Sequence, residues 1–278
     1  MSEETIVPGP TERGVDERFE RRIVMNVPDR HNAKLRQVIE HVNTDDDLYG
    51  LWIAANVNAM ERMGMTDHGP VHVKIVMNLA VRMLRLLVEA GVEPSVVTQY
   101  ELDSNDAEVV VALAALLHDV GMSIHRSDHE AFSLFIAQDK LREILPKVYD
   151  ERHATVLRAE ILHAIISHRS GGKPLTLEAG VVRIADALDM AKGRSRISFS
   201  SGSLSIHSVS AAAIEGITLE PGDEKAIRVT VEMSNSAGLF QLDQLLREKI
   251  RGSGLEQHLE VQARLGEEEK SLLTNFTL

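Results

Sequence analysis

Apolar residues recur at three-to-four spacing through the first two thirds of the chain, the period of helices with one buried face. Leu35, Val38, Ile39 and Val42 mark a first such stripe within a helical region from Asp29 to about Met63. Thr44-Asp45-Asp46-Asp47 interrupts it as an N-cap followed by acids in a first turn. That opens a second helix carrying Leu48, Leu51, Trp52, Ala55 and Met60. Gly69-Pro70 starts a third, running from His72 to about Glu89 with Ile75, Val76, Leu79, Met83, Leu86 and Leu87 on its apolar face, and Gly91 closes it. Further helices are predicted at Ser104 to His118, His129 to Lys140, Tyr149 to Ser167 and Leu177 to Ala191. Met60, Met63, Met65, Met77 and Met83 fall at helical spacing as core filler.

The period changes after Arg194. Arg196 to Ser210 and Ala226 to Met233 alternate and are rich in β-formers, and Glu220-Pro221-Gly222-Asp223 reads as a turn between Ile214-to-Leu219 and Ile227-to-Val231. Ser234 to Gly238 caps a helix from Leu239 to Arg251, and a last strand is expected from Leu259 to Leu265. The expected fold is mainly α: a flexible arm over residues 1–17, a helical domain over 18–195, and a small α+β domain over 196–278. An appendage of that kind more often serves packing or dimerisation than chemistry, and a homodimer is an open expectation.

One helix ends badly for a purely structural element. Val109 to Leu117 carries no charge, yet it runs directly into His118-Asp119. An imidazole and a carboxylate buried there without partners would cost several kcal/mol, about the price of unsatisfied buried polar groups. A divalent cation compensates both, because it neutralises the carboxylate and takes the imidazole lone pair. The chain has no cysteine, so a metal here must be held by nitrogen and oxygen. The formal net charge of -12 argues against binding duplex nucleic acid through its backbone, while small anionic substrates remain open. No stretch approaches a membrane span and the acidic, Pro/Gly-punctuated start has no signal core, so the expected location is cytoplasmic.

Further ligands are available. His72 begins one amphipathic helix, His118-Asp119 ends another, and Asp186 lies in the apolar segment Ala179 to Leu188, so helix packing would converge the four. This ordered set, with Asp186 in Ala185-Asp186-Ala187-Leu188-Asp189, resembles the HD-domain metal-dependent phosphohydrolases over about residues 60–195. The resemblance implies an all-helical bundle in which His72, His118, Asp119 and Asp186 bind a divalent metal. Some members hold a second ion through histidines between the pair and the late Asp, with the pair's Asp bridging. His129, opening His129-Glu130-Ala131-Phe132, and His168, ending Ala164-Ile165-Ile166-Ser167-His168, are the candidates for it. His163 is a further candidate ligand, although five helical residues rotate it about 140° net from His168, so both reach one ion only if the helix bends or ends between them. His125 is open between ligand, phosphate contact and solvated loop.

Two other residues are candidates for the chemistry itself. His68, in Asp67-His68-Gly69-Pro70, lies beside the metal if His72 binds it, and Arg169 sits with Lys173 in a Gly-containing loop suited to a phosphate. Lys192 and Arg194 suit a helix C-terminus or a pocket edge, and Asp189 suits an outer carboxylate or a partner for Arg194. With Asp119 beside an activated water, the implied activity is hydrolysis of a small, nucleotide-like phosphomonoester or phosphodiester, using one or two ions of Mn, Fe, Ni, Co, Zn or Mg. The rival is a metal-containing HD-type regulatory or ligand-sensing module with little or no turnover.

Overall fold

The computed structural model describes residues 22–28, 31–190, 210, 212–265 and 276–277. The expectations for residues 1–17, for Lys192 and Arg194, for a boundary near residue 195 and for a strand over 196–209 lie outside the described residues. Among the described residues, eight α-helices build the first part: α1 Ala33–Thr44, α2 Asp46–Asn56, α3 Pro70–Glu89, α4 Ser95–Tyr100, α5 Ser104–Leu117, α6 His129–Ile144, α7 Glu151–Ser167 and α8 Leu177–Leu188.

Local chemistry sets most of the boundaries. Asp45 ends α1 and caps α2 by accepting from the Leu48 N–H at 2.8 Å, which keeps two helices where the apolar stripe alone would allow one. Pro70 sits in the first turn of α3. A capping box starts α5, with Asp103 and Asp106 each accepting from the other's backbone N–H at 3.0 Å. The run Val109–Leu117 is apolar all round because every residue in it is fully buried, so α5 is the axis around which α1, α3, α7 and α8 pack. Trp52 donates its indole N–H to the Leu116 carbonyl at 2.9 Å, satisfying an acceptor in the last turn of α5 just before His118.

The C-terminal part forms a sheet of order β1-β2-β3-β4 among the described residues: β1 Ile214–Pro221, β2 Ile227–Met233, β3 Leu259–Leu265 and β4 Phe276–Thr277. The first and last pairings are antiparallel and the β2–β3 pairing is parallel. Parallel strands need a crossover, supplied here by helical residues ending in α9, Arg247–Ile250, after a π-helical stretch Gln241–Leu246. The sheet's apolar side chains Ile214, Val229, Val231 and Val261 join the same continuous core as the helices, and α3 packs directly on β1 and β2. Gly180 marks the tightest approach. A Cβ there would lie 2.4 Å from the Ser253 carbonyl, so only glycine lets α8 meet the segment after α9.

A buried acid pair was not foreseen. Glu178 and Glu160 are almost wholly buried, and each has one carboxylate oxygen without a hydrogen-bond partner. Burial, with the negative Glu160 adding to it, raises the Glu178 carboxyl above its ordinary range. Stability from a raised carboxyl is present in full below its unfolded value and lost as the pH rises through the folded one. Glu178→Gln should therefore stabilise the protein at pH 8 by about 1 kcal/mol, and by less at pH 5. Urea midpoints at the two pH values check this; a variant less stable at pH 8 contradicts it.

Candidate metal centre

The end of α5, the starts of α3 and α6, the end of α7 and the last turn of α8 meet at one point. His72, His118, Asp119, His129 and His168 have side chains no more than 5% exposed, while Asp186, at 19%, forms the open side. They fall into three overlapping groups whose ligand atoms lie within 4.8 Å of one another: His72 with His118 and Asp119, His118 with His168 and Asp186, and Asp119 with His129 and His168.

The Asp119 carboxylate is divided between them. Its Oδ2 lies 3.4 Å from His72 Nε2 and 3.3 Å from His118 Nε2, while Oδ1 lies 3.1 Å from His129 Nε2 and 3.6 Å from His168 Nε2. Asp186 Oδ1 faces the first pair of imidazoles, 3.7 Å from His72 Nε2 and 3.6 Å from His118 Nε2.

Three of the four rings are held from behind. His72 Nδ1 is 2.6 Å from Asp189 Oδ2, His118 Nδ1 is 2.8 Å from the Ala115 carbonyl, and His168 Nδ1 is 2.6 Å from the Ile165 carbonyl. Those acceptors assign a proton to Nδ1 in all three and leave each Nε2 to a metal or to a second proton. The fit to a cation follows from what those Nε2 atoms face. His72 Nε2 and His118 Nε2 stand 3.2 Å apart, with carboxylate oxygens of Asp119 and Asp186 facing both. Two unprotonated Nε2 atoms at that distance repel, so the pair calls for a cation or a shared proton between them. The same demand shows in the titration of the cluster. Burial alone would lower His118, but Asp119 and Asp186 push it up to about 10. Burial would raise Asp119, yet the charge on His118 and the hydrogen bond it gives hold the carboxyl well below the usual carboxylate range. Burial pushes His168 down, so that ring favours its neutral, ligating form.

Glycine and strain place the second half of the site. In His118-Asp119-Val120-Gly121 the chain turns through a short 3₁₀ helix, Val120–Ser123, against the first turn of α6. Gly121 donates to Ser133 Oγ at 2.9 Å, and that hydroxyl donates to the His118 carbonyl at 2.6 Å. A Cβ on Gly121 would lie 2.1 Å from the His129 carbonyl, so the glycine is what lets His129 reach Asp119. Asp128, just before His129, has φ +62°, a left-handed conformation uncommon for a residue with a side chain. Asn58 on the π-helical turn after α2 holds the 3₁₀ helix by donating to the Met122 and Ser123 carbonyls at 2.7 and 3.0 Å.

The other expected site residues separate. His68 joins the edge of the cluster, its ring 5.5 Å from the His72 ring and its Nδ1 2.7 Å from the Thr66 carbonyl. His163 is not brought to the cluster. It lies a turn and a half before His168 on continuous α7, its Nε2 accepts from the Leu175 N–H at 3.0 Å, and the straight helix keeps the two rings on different faces. Arg169 is exposed, and its backbone carbonyl, not its guanidinium, is tied in, by Arg183 Nη1 at 2.6 Å. His125 is an exposed loop residue whose Nδ1 accepts from Ser127 N–H. Asp189 is the outer carboxylate behind His72. Two residues escaped the sequence reading. Arg126 Nη1 lies 2.8 Å from His129 Nδ1 and its side chain is otherwise exposed, and Lys249 from α9 reaches Asp186 Oδ2 at 3.3 Å. Arg126 is legible only as a basic residue three before a ligand candidate; Lys249, 63 residues from Asp186, left no local signal.

The sequence profile of the HD domain matches residues 71–191, a span that holds the whole cluster. An uncharacterized protein of Methanocaldococcus jannaschii is 45% identical over 224 residues, covering 81% of this chain and 86% of the relative. The chain belongs to the HD-domain family. Ribonuclease Y of Thermoanaerobacter pseudethanolicus is 26% identical over 172 residues, and the chain spans 30% of that protein's length. HD domains form a superfamily of metal-dependent phosphohydrolases, and the buried His and Asp groups of this one could hold a metal ion. No helix among the described residues is long and apolar enough to cross a membrane.

Proposed function

We propose that this HD-domain protein is a metal-dependent hydrolase of a small phosphomonoester or phosphodiester, nucleotide-like in character. The observation that carries the reading is the division of Asp119, with one oxygen turned to His72 and His118 and the other to His129 and His168. His72, His118, Asp119 and Asp186 would hold one divalent ion, and His129 and His168 with the other oxygen of Asp119 a second. Such ions, when bound, polarise a phosphoryl group and lower the pKa of water at the site.

The chain's own groups supply the rest. Asp189 and the Ala115 and Ile165 carbonyls fix the tautomers of His72, His118 and His168, so none of these three rings has to reorient during turnover. The side chains of His72, His118, Asp119, His129 and His168 are buried, and that low exposure strengthens each charge interaction among them. Arg126 at the His129 edge is placed to donate to a phosphate oxygen, and His68, beside His72, to give a proton to the departing oxygen. The likeness to a protein named Ribonuclease Y supports a phosphodiester among the substrates. A short nucleotide suits the chain's net charge of -12 better than a duplex.

The test is to count metal in the purified protein and to screen nucleotides, cyclic nucleotides and generic phosphate esters with Mn, Mg, Ni and Co. Bound metal with release of phosphate or nucleotide is the expected result. Bound metal with no ester turned over defeats the hydrolase reading.

A further inference from the structure

Three residues apart on α8, Arg183 and Asp186 both engage the C-terminal part of the chain. Arg183 is only 2% exposed and has its guanidinium among carbonyls: Nη1 donates to Ser167 at 3.3 Å and Arg169 at 2.6 Å, and Nε donates to Lys249 at 3.0 Å. It thereby ties the backbone around His168 to α9. Ser170 adds a bond from its hydroxyl to Glu248 Oε1 at 2.8 Å, and Gly180 admits the Ser253 carbonyl to the surface of α8. The consequence is that Lys249 is delivered to the open side of the metal centre. Its ammonium donates to the His168 carbonyl at 2.5 Å and to Asp186 Oδ2 at 3.3 Å.

The two oxygens of Asp186 thus have different tasks. Oδ1 looks at the Nε2 atoms of His72 and His118, and Oδ2 is held by Lys249. Asp186 sits in the last turn of its helix and is the most exposed member of the cluster, so rotation toward solvent costs it less than it would cost Asp119. We propose that Lys249 is a positioning residue of the metal centre, supplied by the C-terminal part of the chain, which holds Asp186 by Oδ2 so that Oδ1 stays directed at the two imidazoles. The inference rests on the metal reading of the cluster and adds to it that the centre is incomplete without α9. Two effects of the ammonium oppose each other. Its charge repels a nearby cation, while its hydrogen bond fixes a ligand; removing an outer-sphere partner of a metal ligand typically costs about 10–100-fold in affinity, a net figure that already includes any charge effect. Orientation therefore wins.

Cobalt(II) titration of the full-length protein, followed by visible absorption, tests this without any substrate. Lys249→Ala should bind cobalt about 10–100-fold more weakly, with altered ligand-field bands at saturation, while Lys249→Arg, which can span the same two acceptors, recovers most of the affinity. Circular dichroism and the unfolding midpoint separate this from a failure to fold, and Lys249→Met, which keeps the apolar stem, replaces the alanine variant if that one is unfolded. Affinity unchanged or tighter in Lys249→Ala overturns the inference and leaves the metal reading standing. Wild-type protein that takes up no more cobalt than His118→Ala overturns both.

Discussion

Asp119→Asn is expected to empty the protein of divalent metal and to lower phosphate-ester hydrolysis by about 10³ or more, since losing about 4 kcal/mol of transition-state stabilisation has that effect. The substitution keeps size and shape but removes the only charge that faces four imidazoles at once, from 3.1 to 3.6 Å. An amide in that place would also have to turn its NH₂ toward at least one Nε2 lone pair, blocking a donor atom that a metal would use. The same carboxylate is the first of the two that raise His118, so in the variant that ring should titrate at a lower pH than in the wild type, with Asp186 keeping part of its elevation. Metal analysis after dialysis, the hydrolytic rate, and the His118 titration followed by NMR give three separate readouts. Metal retained at the wild-type level would defeat the assignment of Asp119 as the shared ligand.

Gly121→Ala should be nearly as damaging, although Gly121 touches no metal. The added methyl would sit 2.1 Å from the His129 carbonyl and 2.5 Å from the Ser133 nitrogen, both backbone atoms that no rotamer change can move. The first turn of α6 must retreat, taking His129 away from Asp119 and breaking the hydroxyl relay from Gly121 through Ser133 to the His118 carbonyl. A stability loss of about 3 kcal/mol, at the upper end for overpacking, is expected together with a fall of about 10² in rate from displacing a group by about an ångström. Because His72, His118 and Asp186 lie on other elements, one ion should survive where two were bound. Denaturant unfolding, metal counting and rate together check this; full metal content in a destabilised variant would show that His129 holds nothing.

Much of this site could be read from the chain because its chemistry is anomalous locally. His118-Asp119 stands out against an apolar run, and Asp186 stands out within Ala179 to Leu188, for the reason that burying such groups is costly without compensation. Capping was equally legible: Asp45, the Gly69-Pro70 start and the Ser104 start all lie where short-range hydrogen bonding puts them. His163 shows where that reasoning stops. Its type and neighbourhood match a ligand, and the rotation of a straight helix is what sends its ring to the Leu175 N–H, outside the cluster. For Arg169 the fold uses the carbonyl, which accepts from Arg183, and leaves the side chain exposed. The short α4 and the buried Glu160–Glu178 pair gave no readable sign, since a six-residue helix carries too little periodicity and the acids meet only when α7 and α8 pack.

By itself, then, the sequence determined the helical period of the first part, the alternation of the last, and which ionisable groups could not be buried alone. Those are properties of residues and their near neighbours, set by burial cost and backbone hydrogen bonding. Only the tertiary structure decided which oxygen of Asp119 faces which imidazole, that Asp189 stands behind His72, and that Lys249 crosses from α9 to Asp186. Those relations depend on distances between segments far apart in the chain, which helix packing sets to within a hydrogen bond's length and which no local pattern records.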